Sequence, residues 1–182
     1  IVVSSIAFVM LSPIMLVTAV AIKICDGGSV FYKQKRLTVG GKEFYVYKFR
    51  SMIADAEKDG VARLAEANDD RVTPVGKVIR RFRIDEFPQL INILKGEMSL
   101  VGPRPERPEL TDEYDKEMPE FKFRLKVKAG LTGYAQVMGK YDTTPYDKLK
   151  MDLMYIEKYS VLLDMKIILM TFKTMFFPNK DN

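Results

Sequence analysis

Residues 1–22 read IVVSSIAFVMLSPIMLVTAVAI, a run with no charged side chain whose centre is Ser12-Pro13. As a straight helix it would reach roughly 33 Å, enough for the hydrocarbon core of a bilayer. Proline at the midpoint removes an amide donor and crowds the preceding turn, so it kinks or breaks the helix. Two half-helices that dip into one leaflet and return are therefore expected, with the Ser12 hydroxyl as an internal partner for backbone groups that Pro13 releases. A spanning helix is the first alternative. A buried core helix is the second, left open by Ser4, Ser5 and Thr18 although the run carries no polar stripe. A cleaved signal peptide is disfavoured, because no basic segment leads the apolar run and no small-residue cleavage site follows it. The chain opens without Met, and upstream sequence is expected to be missing.

Beyond Lys23 the character changes. Cys25-Asp26-Gly27-Gly28 reads as a turn, and Val30 to Met52 mixes aromatic and β-branched residues with lysines, which predicts a hairpin. Its turn falls at Val39-Gly40-Gly41-Lys42, where paired glycines suit positive φ. Lys33, Lys35, Arg36, Lys48 and Arg50 cluster on this hairpin. Asp55 to Asn68 has helical composition, ended by Asn68-Asp69-Asp70. Thr73-Pro74 has the form of an N-cap followed by proline in the first turn, opening a helix from Val75 that carries Arg80, Arg81 and Arg83. Leu90, Ile91, Ile93 and Leu94 show helical spacing after Pro88, with Gly96 as the stop. Glu106 to Lys128 reads as mainly helical, Leu131 to Val137 as a short strand, and Pro145 to Tyr159 and Asp164 to Phe177 as helices. No repeat or linker divides the chain, so one α+β unit is expected. It is a mainly helical domain over residues 23–182 with a β-hairpin, preceded by the membrane element over residues 1–22.

Composition narrows the chemistry. The 182 residues include 29 Lys and Arg, 24 Asp and Glu and no His, a formal charge of +5. Without histidine no Ser-His-Asp triad, HExxH zinc site or imidazole base can be drawn from this chain, so acid-base work falls to carboxylates, lysines or tyrosines. The single cysteine, Cys25, excludes an intrachain disulfide and fits a reducing, cytosol-facing setting.

Three constellations remain. Asp85-Glu86, downstream of three arginines, suits phosphate or metal work: one carboxylate can attack phosphorus while its neighbour holds a divalent ion. On local pattern alone the preferred reading is instead that Asp85 caps a helix beginning near Pro88, with Glu86 complementing its dipole. Lys48 and Arg50, two apart on a strand, share a face and can clamp a phosphate or simply meet solvent. In Gly102-Pro103-Arg104-Pro105-Glu106, prolines on both sides of an arginine either present its guanidinium at little ordering cost or form an ordinary rigid connector.

Four strings occur in order: Lys48-Phe49-Arg50-Ser51-Met52, Asp85-Glu86-Phe87-Pro88-Gln89-Leu90, Met98 to Glu106, and Gly130-Leu131-Thr132-Gly133-Tyr134-Ala135-Gln136-Val137. Together they resemble the bacterial sugar transferases, the monotopic phosphoglycosyl transferases, over nearly the whole chain. The resemblance implies a Pro-broken re-entrant membrane helix with Ser12 and Pro13 at the break, and a catalytic domain on the cytoplasmic face of the bacterial inner membrane. It implies transfer of a sugar-1-phosphate from a nucleotide diphosphate sugar, usually a UDP-sugar, to a polyprenyl phosphate, with release of the nucleoside monophosphate and magnesium as cofactor. By the same likeness Asp85 is the nucleophile, Glu86 its metal-linked partner, and Asp85 and Glu86 the metal ligands. Arg104 lies in the donor-contacting loop, and Lys48, Arg50, Arg80, Arg104 and Glu106 make up the substrate-binding set. Tyr134 stands where the family often has Trp, and the basic residues usual ahead of the membrane helix are absent.

The physical logic agrees. Both substrates bring anions, so a basic face with fixed arginines gathers them. Those arginines and the metal are expected to favour the charged form of Asp85 and sustain activity to distinctly acid pH. Apolar residues Ile167, Ile168, Leu169, Phe172, Phe176 and Phe177 suit either the lipid surface or the core. A one-step metal-dependent glycosyltransferase is the alternative. Nucleic-acid binding ranks last, since the aromatics are scattered and acidic residues crowd Asp112 to Glu120. No motif identifies the sugar, the pathway or the oligomeric state.

Overall fold

In the computed structural model, which describes residues 1–53, 56, 69–139 and 143–176, the apolar run forms helix α1 (Val2–Asp26). Pro13 lies inside it, and the helical backbone continues past the point where two half-helices were expected. Pro13 has no amide to donate to the carbonyl four residues back, that of Val9. The Ser12 hydroxyl donates to that carbonyl instead, at 2.7 Å. The helix runs on to Asp26 and stops at Gly27, whose φ of 70° is readily adopted only without a Cβ.

One face of α1 packs on the rest of the chain. Ala7, Phe8 and Leu11 meet a core cluster of Phe44, Val46, Leu90, Ile93 and Met98. Met15, Ala19 and Ile22 meet a second, with Phe49 and Ile79. Full burial of a side chain such as Ile22 contributes about 1.5–3 kcal/mol. Val2, Ile6, Val9, Val17, Val20 and Ile24 are exposed. Among the described residues α1 is the one helix long and apolar enough to cross a membrane, with a mean hydropathy of 2.3.

The predicted hairpin is present. β1 (Phe31–Leu37) pairs antiparallel with β2 (Glu43–Phe49), from Phe31 opposite Phe49 to Leu37 opposite Glu43. The connection contains a 3₁₀ turn, Val39–Gly41, in which Gly40 and Gly41 have positive φ. The helix expected over 55–68 lies, except for Ala56, outside the described residues, as does Phe177. Helix α2 (Pro74–Arg81) starts as read, with the Thr73 hydroxyl accepting from the Gly76 amide at 2.9 Å. It ends before Arg83, which the sequence had placed within it. Helix α3 (Gln89–Leu94) stops ahead of Gly96, at φ 77°.

A short strand at Ser99–Val101 and a short helix at Tyr134–Met138 were not expected. Strand β3 (Ser99–Val101) pairs parallel with β4 (Gly130–Thr132). The strand expected through Val137 ends at Thr132, and Tyr134–Met138 forms helix α5. Between them lie α4 (Pro108–Glu117) and a 3₁₀ segment, Pro119–Lys126. They are separate because Pro119 disfavours helical backbone at Met118, found at φ −137°. Helix α6 (Pro145–Lys158) is capped by Thr144 and α7 (Val161–Phe176) follows. The core reading of the last helix holds for one face, where Ile167 is fully buried with Val101 and Tyr155, while Leu169 and Phe172 are exposed. Mixed helix and short sheets, mainly helical, match the expected class.

Candidate active site

Asp85 and Glu86 sit in a one-turn 3₁₀ segment, Ile84–Glu86, between α2 and α3. The chain enters it through Arg83, whose φ of 53° is the one positive value among described non-glycine residues. Such backbone costs about 1–2 kcal/mol and persists where the surroundings fix it. Helix α3 opens at Pro88 with no side-chain cap, so the capping role open to Asp85 is not the one it has.

Glu86 is buried, and its Oε1 accepts from Lys48 Nζ at 2.9 Å and from Arg104 Nη2 at 2.8 Å. Lys48 comes from β2 and Arg104 from the loop after β3, so three remote segments converge on one carboxylate. The Lys48 side chain is 19% exposed, which rules out a solvated strand face for it. Asp85 is partly buried, and among the described residues no hydrogen bond or ion pair engages its carboxylate.

The two carboxylates are driven apart. Burial pushes Asp85 up and the neighbouring Glu86 charge pushes further; Lys48, Arg80 and Arg104 offset only part, leaving it at about 6. Burial also pushes Glu86 up, but Arg104 and Lys48, by charge and hydrogen bond, hold it well below the usual carboxylate range. Burial lowers the Lys48 ammonium against the pull of Glu86. The half-exposed Arg104 guanidinium is held charged, chiefly by Glu86. A doubly bonded Glu86 held in its charged form beside an unengaged Asp85 gives two adjacent carboxylates with different electrostatic settings.

The arginines and a metal were expected to keep Asp85 charged; the arginines by themselves do not, because desolvation and Glu86 outweigh them. In metal-free protein Asp85 should titrate near pH 6 by carboxyl ¹³C NMR, anionic above that pH and protonated below it. Chemistry that needs its anion is lost as pH falls through this range, and added Mg²⁺ should move the titration down. An ordinary midpoint near 4 would overturn the dominance of burial.

Among the described residues no group of three or more His, Cys, Asp or Glu is assembled. Magnesium needs none, since it takes one or two carboxylates and completes its shell with waters and substrate phosphates. Asp85 and Glu86, with both cation contacts of Glu86 on Oε1, fit such a partial ligand set.

The other expected residues divide. Arg80 lies within electrostatic reach of Asp85. Arg50 does not join Lys48: it pairs with Asp26 at the end of α1, its guanidinium against Gly28. It lies just past the end of β2, where strand alternation no longer dictates direction. Glu106 pairs with Arg36 at 3.6 Å and adds to the field on Arg104. Tyr134 packs beside Val101, Tyr155 and Ile167.

Asn92 was missed. Fully buried, it donates to the Tyr45 carbonyl and to Glu97 Oε2, both at 2.7 Å, and accepts from the Tyr47 amide at 3.0 Å, tying α3 to the strand that carries Lys48. Its signal was a lone amide inside Leu90-Ile91-Asn92-Ile93-Leu94, since a buried amide needs partners. The motif glycines have a packing role. A Cβ on Gly130 would lie closer than 3.0 Å to Gly102 N, Gly102 O and Thr132 O. Gly130 N also bonds to the Pro103 carbonyl at 2.9 Å, which fixes the start of the Arg104 loop.

The chain is 45% identical over 173 residues to the UDP-N-acetylgalactosamine-undecaprenyl-phosphate N-acetylgalactosaminephosphotransferase of Aeromonas hydrophila, covering 93% of this chain and 41% of that protein. It is 41% identical over 171 residues to the UDP-glucose:undecaprenyl-phosphate glucose-1-phosphate transferase of Xanthomonas campestris pv. campestris, covering 91% and 35%. It is 36% identical over 182 residues to the exopolysaccharide production protein ExoY of Rhizobium meliloti (strain 1021), covering 92% and 79%. The chain thus spans about two-fifths of the length of the first of these relatives. With the family match running over residues 1–178 and taking in the dyad, the Arg104 loop and the motif glycines, the chain belongs to the bacterial sugar transferase family.

Proposed function

We propose that this chain transfers a sugar-1-phosphate from a nucleotide diphosphate sugar, a UDP-sugar by analogy with its relatives, to a polyprenyl phosphate at the cytoplasmic face of the bacterial inner membrane. The observation that carries the reading is the unengaged Asp85 carboxylate beside a Glu86 neutralised by Lys48 and Arg104. The anionic oxygen of Asp85 attacks the phosphorus bonded to the sugar, and the bond from that phosphorus to the nucleoside monophosphate breaks. A phosphate oxygen of the polyprenyl acceptor then attacks the same phosphorus. The Asp85 oxygen leaves with its electron pair, restoring the carboxylate and giving the polyprenyl diphosphate sugar. Two anionic substrates thereby react in turn and are never required together at the carboxylate. Arg104 engages the donor phosphates and Lys48 holds Glu86 in place. Asp85 and Glu86 would hold magnesium, which when bound neutralises charge on the donor diphosphate.

The test is incubation with labelled UDP-sugar alone. A phosphosugar adduct on Asp85, discharged by added polyprenyl phosphate with matching UMP release, is the expected result. Full turnover with no adduct would favour the one-step alternative, and an adduct on Glu86 would reverse the roles.

The topology is part of the same reading: α1 enters and leaves one leaflet. Support comes from Pro13 at its centre and from the contacts of both halves with the same basic domain, Phe8 and Leu11 as well as Met15 and Ile22. Native Cys25 and, in a Cys25→Ser background, Ile1→Cys should both react with an impermeant maleimide from the cytoplasmic side. Labelling from opposite sides would sink the re-entrant claim. Replacing Ser12 and Pro13 together by Leu and Ala should push α1 towards spanning.

A further inference from the structure

We infer that Arg124 and Asp152 are positioning residues for Arg104, acting through the backbone of the loop that carries it; the inference rests on the reading of Arg104 as the donor-contacting cation. Pro103 and Pro105 have no amide hydrogen, so at these two positions the backbone of the loop can be held only through its carbonyls. Four successive carbonyls each have a donor from elsewhere. Pro103 O accepts from Gly130 N at 2.9 Å and Glu106 O from Leu37 N at 3.0 Å. Pro105 O accepts from Arg36 Nη1 at 3.1 Å, and Arg104 O from Arg124 Nη2 at 3.0 Å. The middle two are bonds from charged donors, a class stronger than neutral ones.

Arg124 is itself fixed. Its side chain is 9% exposed, its Nε donates to Asp152 Oδ2 at 2.7 Å, and its guanidinium lies 4.7 Å from the centre of the Phe121 ring. A buried ion pair is a weak means of stabilisation, because desolvation of both charges roughly cancels their attraction. The pair makes sense through the contact it leaves over: with Nε on Asp152, the planar fork turns Nη2 to the Arg104 carbonyl. A single ammonium cannot hold both acceptors in that geometry. The line of contacts then runs from Asp152 on α6 through Arg124 and the Arg104 backbone to the Arg104 guanidinium and Glu86 Oε1. A shift of about 1 Å in a group that positions substrate costs about 10²-fold in rate.

Arg124→Lys keeps a cation opposite Asp152 and so does not orphan the buried carboxylate. In membrane nanodiscs, its donor-only labelling at low UDP-sugar should fall about 10- to 100-fold, with a raised KM for the donor. In an Arg104→Ala background the same substitution should cost no more than about twofold, because no guanidinium remains to be placed. Equal losses in both backgrounds would overturn the inference. Hydrogen exchange of the Gly102, Arg104, Glu106 and Arg107 amides should quicken in Arg124→Lys while that of β1 and β2 is unchanged; unaltered exchange in the loop also overturns it. If Arg124→Lys does not fold, Asp152→Asn carries the same cycle and the same exchange measurement. If the wild-type protein takes no label from any UDP-sugar, the proposed reaction fails, and the exchange result alone decides whether Arg124 clamps the loop.

Discussion

Asp85→Asn is expected to lower turnover by about 10⁴-fold or more and to remove the donor-derived adduct entirely. The amide matches the carboxylate in size, so the 3₁₀ turn and the Glu86 contacts with Lys48 and Arg104 should survive, and circular dichroism should match the wild type. Glu86→Gln should behave differently. It leaves Lys48 and Arg104 without their shared anion, and it removes the second largest influence raising Asp85, which becomes more acidic. Adduct formation should slow, and whatever adduct forms should still map to Asp85. Turnover by Asp85→Asn within tenfold of wild type would exclude this carboxylate as the nucleophile.

The second large effect is on the fold. Gly130→Ala should destabilise the protein by about 3 kcal/mol or more, since a methyl there meets backbone atoms of Gly102 and Thr132, which have no rotamer to yield. For a chain of this size that is roughly 6–12 °C in Tm, read by thermal denaturation in detergent micelles. Gly40→Ala is the contrast. Its Cβ would meet open space and only the positive φ is penalised, about 1–2 kcal/mol. A Gly130→Ala protein melting within two or so degrees of wild type would refute close backbone packing between β3 and β4.

Local signals in the sequence were reliable where one residue type has one physical use. Thr73-Pro74 capped a helix, Gly40-Gly41 turned a hairpin, and Ser12 supplied the donor that Pro13 lacks. The site was legible as parts only. Asp85-Glu86 and the Arg104 loop stood out, but nothing local indicates that Lys48, 38 residues away, would share Glu86 Oε1 with Arg104. Arg50 shows the limit of strand periodicity, which lapses at the last paired residue. The parallel pairing of β3 with β4 was invisible because each strand has three residues, too few for an alternating pattern. Arg124 and Asp152, 28 residues apart on different elements, carry no mutual mark in sequence.

The stripe of α1 that fills both hydrophobic clusters makes the order of synthesis matter. Phe8 and Leu11 leave the ribosome before Leu90 and Ile93 exist, and Met15 and Ile22 before Ile79 does. On the membrane topology proposed above, lipid would solvate that face in the interval, and the bilayer would serve as a chaperone for a core not yet made. A chain cut after Asp26 to yield a soluble domain would lose part of its interior and not merely its tether.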